Sequence, residues 1–321
     1  MSGPRAAIDV GSNSVRLLVV DDAGRPLARE LTITRLGTAV DRTGHLDDAA
    51  MLRTLDTLAR YRDHWRALGV SDRVRIAATS AARDASDRDR LLEGVRAATG
   101  VDAEVLSGDA EAALSFLGAT GALQVAAPTA VADIGGGSTE LIVGDATSID
   151  ASVSLQLGSV RVTERHLHDD PPAPAQLAAA REMVALQLDH ADAALEAAGA
   201  PLHGAAALVA VAGTATTLGA LRLHLDAGAA AAAAADRRPA DRGMAGVHGL
   251  RIAAPALREL SSRLAAMTTS ERAALGPVPA GREDVIHAGA LILATVVERY
   301  GFPEVVISEA DNLDALAASL L

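Results

Sequence analysis

The sequence predicts an α/β protein built from two similar halves, each with a sheet and flanking helices. Short apolar strands alternate with longer amphipathic segments along the 321 residues, an order typical of α/β folds. The same order starts again near the middle of the chain, and one short motif occurs in both halves. A chain of this length commonly forms two domains. We therefore expect domains over residues 1–126 and 127–321.

The first half reads as three strands followed by alternating helices and strands. Residues 5–36 divide at turn residues into three short strands. Apolar residues at helical spacing then predict a helix over about residues 46–68. A strand, a helix capped by Ser86, a second strand and a helix over about residues 108–119 complete this half.

The second half repeats this beginning. Residues 121–130 form a loop-like boundary, after which three strands, two helices and a further strand are expected. The remainder is mostly helical, with the clearest helix over residues 282–300 and a last strand over residues 304–308. Composition does not decide whether the Ala-rich residues 226–243 form a helix or a mobile loop.

An ungapped overlay supports duplication of one α/β unit. Aligning Asp9 with Asp133 brings together two copies of the pattern apolar–Asp–apolar–Gly–x–x–Ser, each followed by an apolar strand. One position breaks the symmetry, because Arg16 falls on Glu140. Each half therefore contains one hairpin in which an Asp precedes a Gly-rich turn.

The two Gly-rich turns have the composition of phosphate-binding loops. Glycine permits positive φ and close approach of an anion, and successive turn amides can form a nest for phosphate oxygens. A single Asp-x-Gly turn is mostly turn chemistry, but two equivalent copies favour a function. Facing each other across an interdomain cleft, the turns would hold a phosphate chain from both sides. The predicted phosphate-binding residues are Gly11, Ser12, Asn13, Ser14, Arg16, Gly135, Gly136, Gly137, Ser138 and Thr139.

The charged residues beside these turns suggest a metal and a counter-ion. The carboxylates of Asp9 and Asp133 cannot bind phosphate directly, but they could hold a Mg²⁺ that bridges to it. Arg16 interrupts an apolar strand, where an unpaired guanidinium is costly. It either pairs with an acid or neutralises phosphate through bidentate hydrogen bonds, and the Asp-Gly context favours phosphate.

Composition excludes several classes of protein. The chain has no cysteine, which removes disulfides, thiolate zinc sites and cysteine-based phosphatases. All 29 basic residues are arginine, so a Walker-type NTPase and a Schiff-base enzyme are excluded. The net charge of −12 opposes binding to nucleic acid or anionic membranes. Without a signal-peptide pattern or a long apolar segment, we expect a soluble cytoplasmic protein.

Three stretches resemble motifs of one family. Residues 8–19 (IDVGSNSVRLLV) and 131–144 (VADIGGGSTELIVG) resemble the two phosphate motifs of the exopolyphosphatase / guanosine pentaphosphate phosphohydrolase family. Residues 209–221 (VAVAGTATTLGAL) resemble its later Gly-Thr motif. That family belongs to the actin-like ATPase superfamily, so the resemblance implies duplicated ribonuclease H-like domains.

The resemblance implies an activity and roles for individual residues. It implies Mg²⁺-dependent release of terminal orthophosphate from inorganic polyphosphate or guanosine pentaphosphate. Glu111 matches the general base that activates water, and Arg83 matches an arginine near the scissile phosphoryl group. Asp133 and Glu140 match acids associated with metal and water, and Asp9 matches the acid of the first motif. Similar proteins favour a homodimer.

Two features leave alternatives to this assignment. The first is Ala110, which stands where the family often has a second acid beside Glu111. Glu111 itself has no capping role, because Ser107 is the expected N-cap. Residues 308–316 (SEADNLDAL) also differ from the family's Gly-Leu-Arg-Glu-Gly-like stretch. We expect an exopolyphosphatase that prefers short chains, since no basic extension follows to hold long polymers. Guanosine pentaphosphate hydrolysis and a non-catalytic phosphate-chain sensor are the alternatives.

Overall fold

The structure is a computed structural model that describes residues 3–121, 123–145, 148–233 and 246–320. The strands in these residues are β1 (Arg5–Val10), β2 (Ser14–Val20), β3 (Pro26–Ile33), β4 (Val74–Ala78), β5 (Ala103–Val105), β6 (Thr129–Ile134), β7 (Thr139–Gly144), β8 (Ile149–Leu155), β9 (Ala207–Val211), β10 (Arg251–Ala253) and β11 (Glu304–Ile307). The helices are α1 (Val40–Thr43), α2 (Asp48–Ala67), α3 (Ser80–Asp84), α4 (Arg88–Thr99), α5 (Gly108–Gly121), α6 (Ser159–His166), α7 (Pro174–Ala197), α8 (Ala212–Ala233), α9 (Ala254–Ala266), α10 (Thr269–Ala273), α11 (Ile286–Arg299) and α12 (Asn312–Ala318).

The chain divides into two compact units. The first contains Met1–Gly118, Gly136–Ser138 and Asp311–Leu321, and the second contains Ala119–Gly135 and Thr139–Ala310. The sequence prediction placed the whole C-terminal part in the second half, whereas the structure groups the last residues with the first unit. Each unit has its own sheet and core.

The first unit is built on a five-stranded mixed sheet in the order β3-β2-β1-β4-β5. The first three strands pair antiparallel, and β4 and β5 continue the sheet in parallel with β1. Three antiparallel strands followed by parallel crossovers form the predicted ribonuclease H-like arrangement.

The two faces of this sheet are covered by different parts of the chain. Ile8 and its same-face neighbours pack with helical residues such as Trp65 and Leu91. On the opposite face, Ala7 packs with Leu313 and other residues of α12, because successive residues of a strand point to opposite sides. Burial of this second face explains why the C-terminal helix belongs to the first unit.

The second unit repeats the arrangement with one added strand. Its six-stranded sheet has the order β10-β11-β9-β6-β7-β8, and β6, β7 and β8 form the antiparallel part. Strands β9 and β11 extend it in parallel, while β10 adds an antiparallel edge that the sequence did not predict. Two mixed sheets with helices confirm the predicted α/β class and its duplication.

Several predicted helix boundaries change in the structure. Helix α4 begins at Arg88 after Asp87, and Ser86 bonds the carbonyl of Gly44 instead of capping it. The clearest predicted helix begins at Ile286, because the preceding residues form a turn in which Val285 N–H donates to the Arg282 carbonyl. Helices α3, α9, α10 and α12 were not predicted individually.

The long Ala-rich segment is described only in part. Helix α8 extends to Ala233, so the part of the segment before that residue is helical. The prediction for residues 234–243 lies outside the described residues. None of the helices that the structure does describe has the length and apolar character needed to cross a bilayer.

Candidate active site

The first hairpin places Asp9 opposite Arg16. The two residues are direct partners in the β1–β2 ladder, and the whole Asp9 residue is only 4% exposed. Arg16 donates to the same carboxylate oxygen, Asp9 Oδ2, from Nε at 3.1 Å and from Nη2 at 2.5 Å. The other oxygen, Asp9 Oδ1, is buried and has no hydrogen-bond partner among the described residues.

Arg16 also bonds two residues near the C-terminus. Nη1 donates to Asp311 Oδ2, and Nη2 donates to Asn312 Oδ1 at 2.6 Å. Burial acts to lower the pKa of Arg16, but the charges of Asp311 and Asp9 outweigh it and raise that pKa above its ordinary value. Four of the five guanidinium N–H donors are thus engaged. Pairing with an acid is the alternative that the sequence analysis ranked below phosphate binding. These hydrogen bonds leave Arg16 little capacity for phosphate.

Gly11 of the first phosphate turn is needed for close packing. Neither Gly11 nor any of Gly135, Gly136 and Gly137 is among the glycines with positive φ, so these positions do not use that freedom of glycine. Gly11 N–H donates to the Ser14 carbonyl at 3.0 Å, and a Cβ on Gly11 would lie 3.1 Å from that oxygen. The turn therefore stays tight because no side chain intervenes.

The backbone of the first turn is fixed by the segment after β3. Thr34 and Arg35 N–H groups both donate to the Asn13 carbonyl, and Gly37 N–H donates to the Ser12 carbonyl at 2.7 Å. The side-chain oxygen of Asn13 is buried without a partner among the described residues. Asn13 therefore sets the shape of the turn through its backbone carbonyl.

A serine that sequence analysis missed meets both Gly-rich turns. Ser80, the first residue of α3, lies with its Oγ 2.9 Å from Ser12 Oγ. A Cβ on Gly137 would overlap Ser80 Oγ and lie 2.8 Å from Ser12 Oγ. Residue 137 must therefore be glycine for these hydroxyls to keep their positions.

The predicted catalytic pair is formed within the first unit. Arg83 Nη1 donates to Glu111 Oε2 at 3.1 Å and to the Leu106 carbonyl at 3.2 Å. Glu111 is buried, with 6% of its surface exposed. Arg83 Nη2 is also buried and has no partner among the described residues. The site therefore combines the Glu111 carboxylate, which Arg83 holds in place, with an Arg83 N–H donor that has no partner among the described residues.

Local structure explains why Glu111 is not used for helix capping. Ser107 Oγ accepts a hydrogen bond from Ala110 N–H at 3.2 Å, and the Ser107 carbonyl accepts one from Glu111 N–H at 3.0 Å. These are the contacts of an N-cap residue, and they confirm the predicted role of Ser107. The Glu111 carboxylate is therefore not needed as a cap, and it accepts a hydrogen bond from Arg83.

The second hairpin places two acids directly opposite each other. Asp133 and Glu140 are partners in the β6–β7 ladder, and both are buried. Ser154 Oγ donates to Glu140 Oε1 at 2.7 Å. Like charges at directly opposed positions of a sheet are unfavourable, so this pair is suited to share a cation. Thr139 Oγ1 donates to the Leu157 carbonyl at 2.6 Å, which leaves only the Thr139 backbone to donate to phosphate.

These residues fit a Mg²⁺ site in which substrate phosphates supply some of the metal ligands. The described residues contain no cluster of three or more His, Asp or Glu arranged as metal ligands. Mg²⁺ is commonly bound by one or two carboxylates together with waters and substrate phosphates. The unpartnered Asp9 Oδ1 and the opposed carboxylates of Asp133 and Glu140 suit that mode within their own units.

The Gly-Thr motif packs against Arg282 and the first residues of α11. Ala212 takes a left-handed conformation with φ 65° where β9 passes into α8, a strained geometry that is common at functional sites. A Cβ on Gly213 would overlap the Arg282 guanidinium, and a Cβ on Gly289 would lie 2.7 Å from Thr214 Oγ1. Sequence reasoning did not single out Arg282.

Comparison with known sequences gives one family over most of the chain. The sequence model of the Ppx/GppA phosphatase family matches residues 18–310. The chain is 40% identical to exopolyphosphatase 2 of Mycobacterium tuberculosis, with 98% of each chain covered. It is 34% identical to exopolyphosphatase 1 of Mycobacterium leprae, over 89% of this chain and 80% of that protein.

Comparison with crystal structures agrees. An exopolyphosphatase-like protein superimposes with a TM-score of 0.86 at 30% identity, covering 99% of this chain and 100% of that one. The Ppx/GppA family member from Aquifex aeolicus gives a TM-score of 0.76 at 26% identity, with 99% and 97% covered. Both similarities extend over the two units.

Proposed function

Because the chain belongs to the Ppx/GppA phosphatase family, we propose that it is an exopolyphosphatase. It releases terminal orthophosphate from inorganic polyphosphate by hydrolysing a phosphoanhydride bond. The observation that carries this proposal is the buried pair of Glu111 and Arg83, which joins a proton acceptor to an available cationic donor. The proposal includes the predicted cytoplasmic location and homodimer.

Glu111 acts as the general base. A positioned carboxylate takes a proton from water as the water oxygen attacks the terminal phosphorus. The bond from phosphorus to the bridging oxygen breaks in line with this attack, and the shortened chain leaves with the electron pair. Arg83 holds the carboxylate through the 3.1 Å hydrogen bond, so its orientation is set before substrate arrives.

Arg83 also stabilises the charge on the phosphoryl oxygens. Its Nη2 lacks a partner among the described residues, and a buried cationic N–H gains strongly from a phosphate oxygen. Gly11 N–H is engaged by the Ser14 carbonyl, so the other backbone amides of the turns, at residues 12–13 and 136–138, are the proposed further donors. Preorganised donors of this kind commonly supply a large share of the rate enhancement of phosphoryl transfer.

The acids of the two hairpins are assigned to Mg²⁺. Asp9 in the first unit, and Asp133 and Glu140 in the second, are each proposed to bind Mg²⁺, and Asp9 would contribute its unpartnered oxygen. When bound, Mg²⁺ neutralises charge on the phosphate oxygens and helps to orient them. Phosphate chains carry several charges, so such neutralisation matters in a protein whose own net charge is −12.

The same negative charge supports a preference for short polyphosphates, because a long polyanion is repelled along more of its length. Guanosine pentaphosphate hydrolysis uses the same chemistry. A Vibrio atlanticus guanosine-5'-triphosphate,3'-diphosphate pyrophosphatase is 36% identical over 51% of this chain, which is 33% of that protein. Substrate comparison must therefore accompany any activity assay.

The test measures phosphate release from short and long polyphosphate and from guanosine pentaphosphate. Glu111→Gln should lower kcat by about 10²–10⁴-fold while substrate still binds in a filter or calorimetric assay. Asp109→Asn is the matched control, since it removes an exposed acid from the same helical turn and should leave kcat near that of the wild type.

Three results would contradict the proposal in different ways. Near-normal turnover by Glu111→Gln would remove Glu111 as the base. Binding without release from any of the three substrates would identify a sensor. Faster release from guanosine pentaphosphate than from polyphosphate would make the nucleotide the substrate.

A further inference from the structure

The C-terminal segment reaches the first phosphate hairpin. Asp311 and Asn312 both accept hydrogen bonds from Arg16, nearly three hundred residues earlier in the chain. They lie in residues 308–316, the segment whose sequence differs from the family pattern. The sequence alone assigned no role to this segment. Asp311 and Asn312 belong to the same compact unit as Asp9 and Arg16.

Asp311 is held firmly in place. Its Oδ1 accepts from Leu313 N–H and its own N–H donates to Asp314 Oδ2, both at 3.0 Å. Its carbonyl lies against Gly118 of α5, where a Cβ would come within 2.5 Å of the carbonyl carbon. These contacts fix the backbone and one carboxylate oxygen, so Asp311 Oδ2 points to Arg16 as a preset anchor.

The geometry at Asp9 shows what this anchor does. A guanidinium beside a carboxylate normally forms two parallel hydrogen bonds, one to each oxygen. Here Arg16 Nε and Nη2 both converge on Asp9 Oδ2, while Nη1 is turned to Asp311. The asymmetric contact leaves Asp9 Oδ1 buried and without a partner among the described residues.

We propose that Asp311 and Asn312 are positioning residues which hold Arg16 so that one oxygen of Asp9 stays available for Mg²⁺. The inference rests on the proposed function for the identity of the ion. Arg16 thereby acts as an internal counter-ion instead of a phosphate ligand. The acid at Asp311 also keeps the local charge of the three side chains negative, which favours a cation at Asp9.

Loss of the anchor has a directional effect on metal binding. In Asp311→Asn, Nη1 of Arg16 loses its anionic partner, so the guanidinium can turn and bond both oxygens of Asp9. The local charge also becomes more positive by one unit. Both changes oppose a cation. Removal of a residue that orients a metal ligand typically costs about 10–100-fold in metal affinity, so Mn²⁺, used as the probe, should bind at least about tenfold more weakly.

Ser319→Ala is the matched control. Ser319 Oγ accepts a hydrogen bond from Arg75 Nη1 at 2.6 Å and donates to the Leu316 carbonyl at 2.7 Å. These contacts at the end of α12 involve neither Arg16 nor Asp311, so their loss perturbs the attachment of the helix without changing the Asp9 contacts. A merely structural role of Asp311 would lower the melting temperature of both variants and leave Mn²⁺ affinity unchanged in both.

The experiment titrates Mn²⁺ by electron paramagnetic resonance and measures phosphate release against Mg²⁺ concentration. We expect Asp311→Asn to weaken Mn²⁺ binding and raise the Mg²⁺ requirement by about tenfold, with kcat at saturating Mg²⁺ near wild type. Asn312→Ala should show a smaller shift in the same direction, and it serves as the second variant if Asp311→Asn fails to fold.

The outcomes separate this inference from the proposed function. Wild-type Mn²⁺ affinity in Asp311→Asn, or no Mn²⁺ binding by the wild type, overturns the inference whatever the activity. Mn²⁺ binding that weakens in Asp311→Asn supports it even if the wild type releases no phosphate, a result that would overturn only the exopolyphosphatase proposal. Equal weakening in Ser319→Ala would also overturn it.

Discussion

Mild acid should destabilise this protein through His287, a buried residue of α11. His287 is 3% exposed. Burial, together with the nearby charge of Arg272, lowers its pKa from an ordinary 6.5 to about 3, and Asp170 opposes this only in part. The folded state therefore holds a neutral imidazole at a pH where an exposed one would be charged.

The direction and size of the effect follow from proton linkage. As pH falls below 6.5, the unfolded chain takes up a proton that the folded chain accepts only near pH 3. The stability from His287 is complete above pH 6.5 and is lost as pH falls towards 3. Each unit of pH in this window costs about 1.4 kcal/mol, so the loss between pH 7.5 and pH 5 is about 2 kcal/mol.

Urea unfolding followed by circular dichroism, with a transition fitted for each unit, measures this loss at both pH values. His287→Gln cannot take up the proton, so its free energy of unfolding should fall by about 2 kcal/mol less than that of the wild type over the same interval. The variant starts from lower stability, and only the difference between the two pH values is compared. An equal loss in both proteins would refute the assignment of a neutral buried imidazole.

Two glycine substitutions test the close contacts of the site. Gly118→Ala would force its Cβ into the carbonyl of Asp311. It should therefore lower stability by about 1–3 kcal/mol, measured by melting, and raise the Mg²⁺ requirement, measured by titration. Gly121→Ala, in open space on the same helix, is the control and should leave the Mg²⁺ requirement unchanged. Gly137→Ala would overlap Ser80 Oγ and should raise KM for polyphosphate, with partial recovery when Ser80→Ala removes the hydroxyl. Unchanged KM in Gly137→Ala would show that the turn can move without cost.

Much of the fold could be predicted from local sequence. The hairpins at Asp9 and Asp133 follow from apolar runs broken by Gly-rich turns, and their strand pairing matches the predicted duplication. The N-cap at Ser107 follows from side-chain chemistry within a few residues. Such features depend on neighbours in sequence, where periodicity and turn preferences act directly.

Partners of the charged residues could not be predicted in the same way. Arg16 was expected to favour phosphate, because its surroundings in sequence contain Asp9 and glycine but no sign of Asp311. The C-terminal residues were assigned to the second half, since nothing local shows that Leu313 covers the first sheet. Ser80 was missed because its contact with Ser12 joins the start of α3 to a turn that is 68 residues away in sequence.

The sequence by itself determined the duplicated α/β class, the two Asp-Gly hairpins and the pairing of residue types suited to phosphate and Mg²⁺. Only the tertiary structure decided which charges meet. Arg16 and Asp311 are 295 positions apart, and their contact exists because the apolar face of α12 is buried on the first sheet. Burial of that face is a property of the folded chain, and it makes the arginine that interrupts an apolar strand a counter-ion beside Asp9.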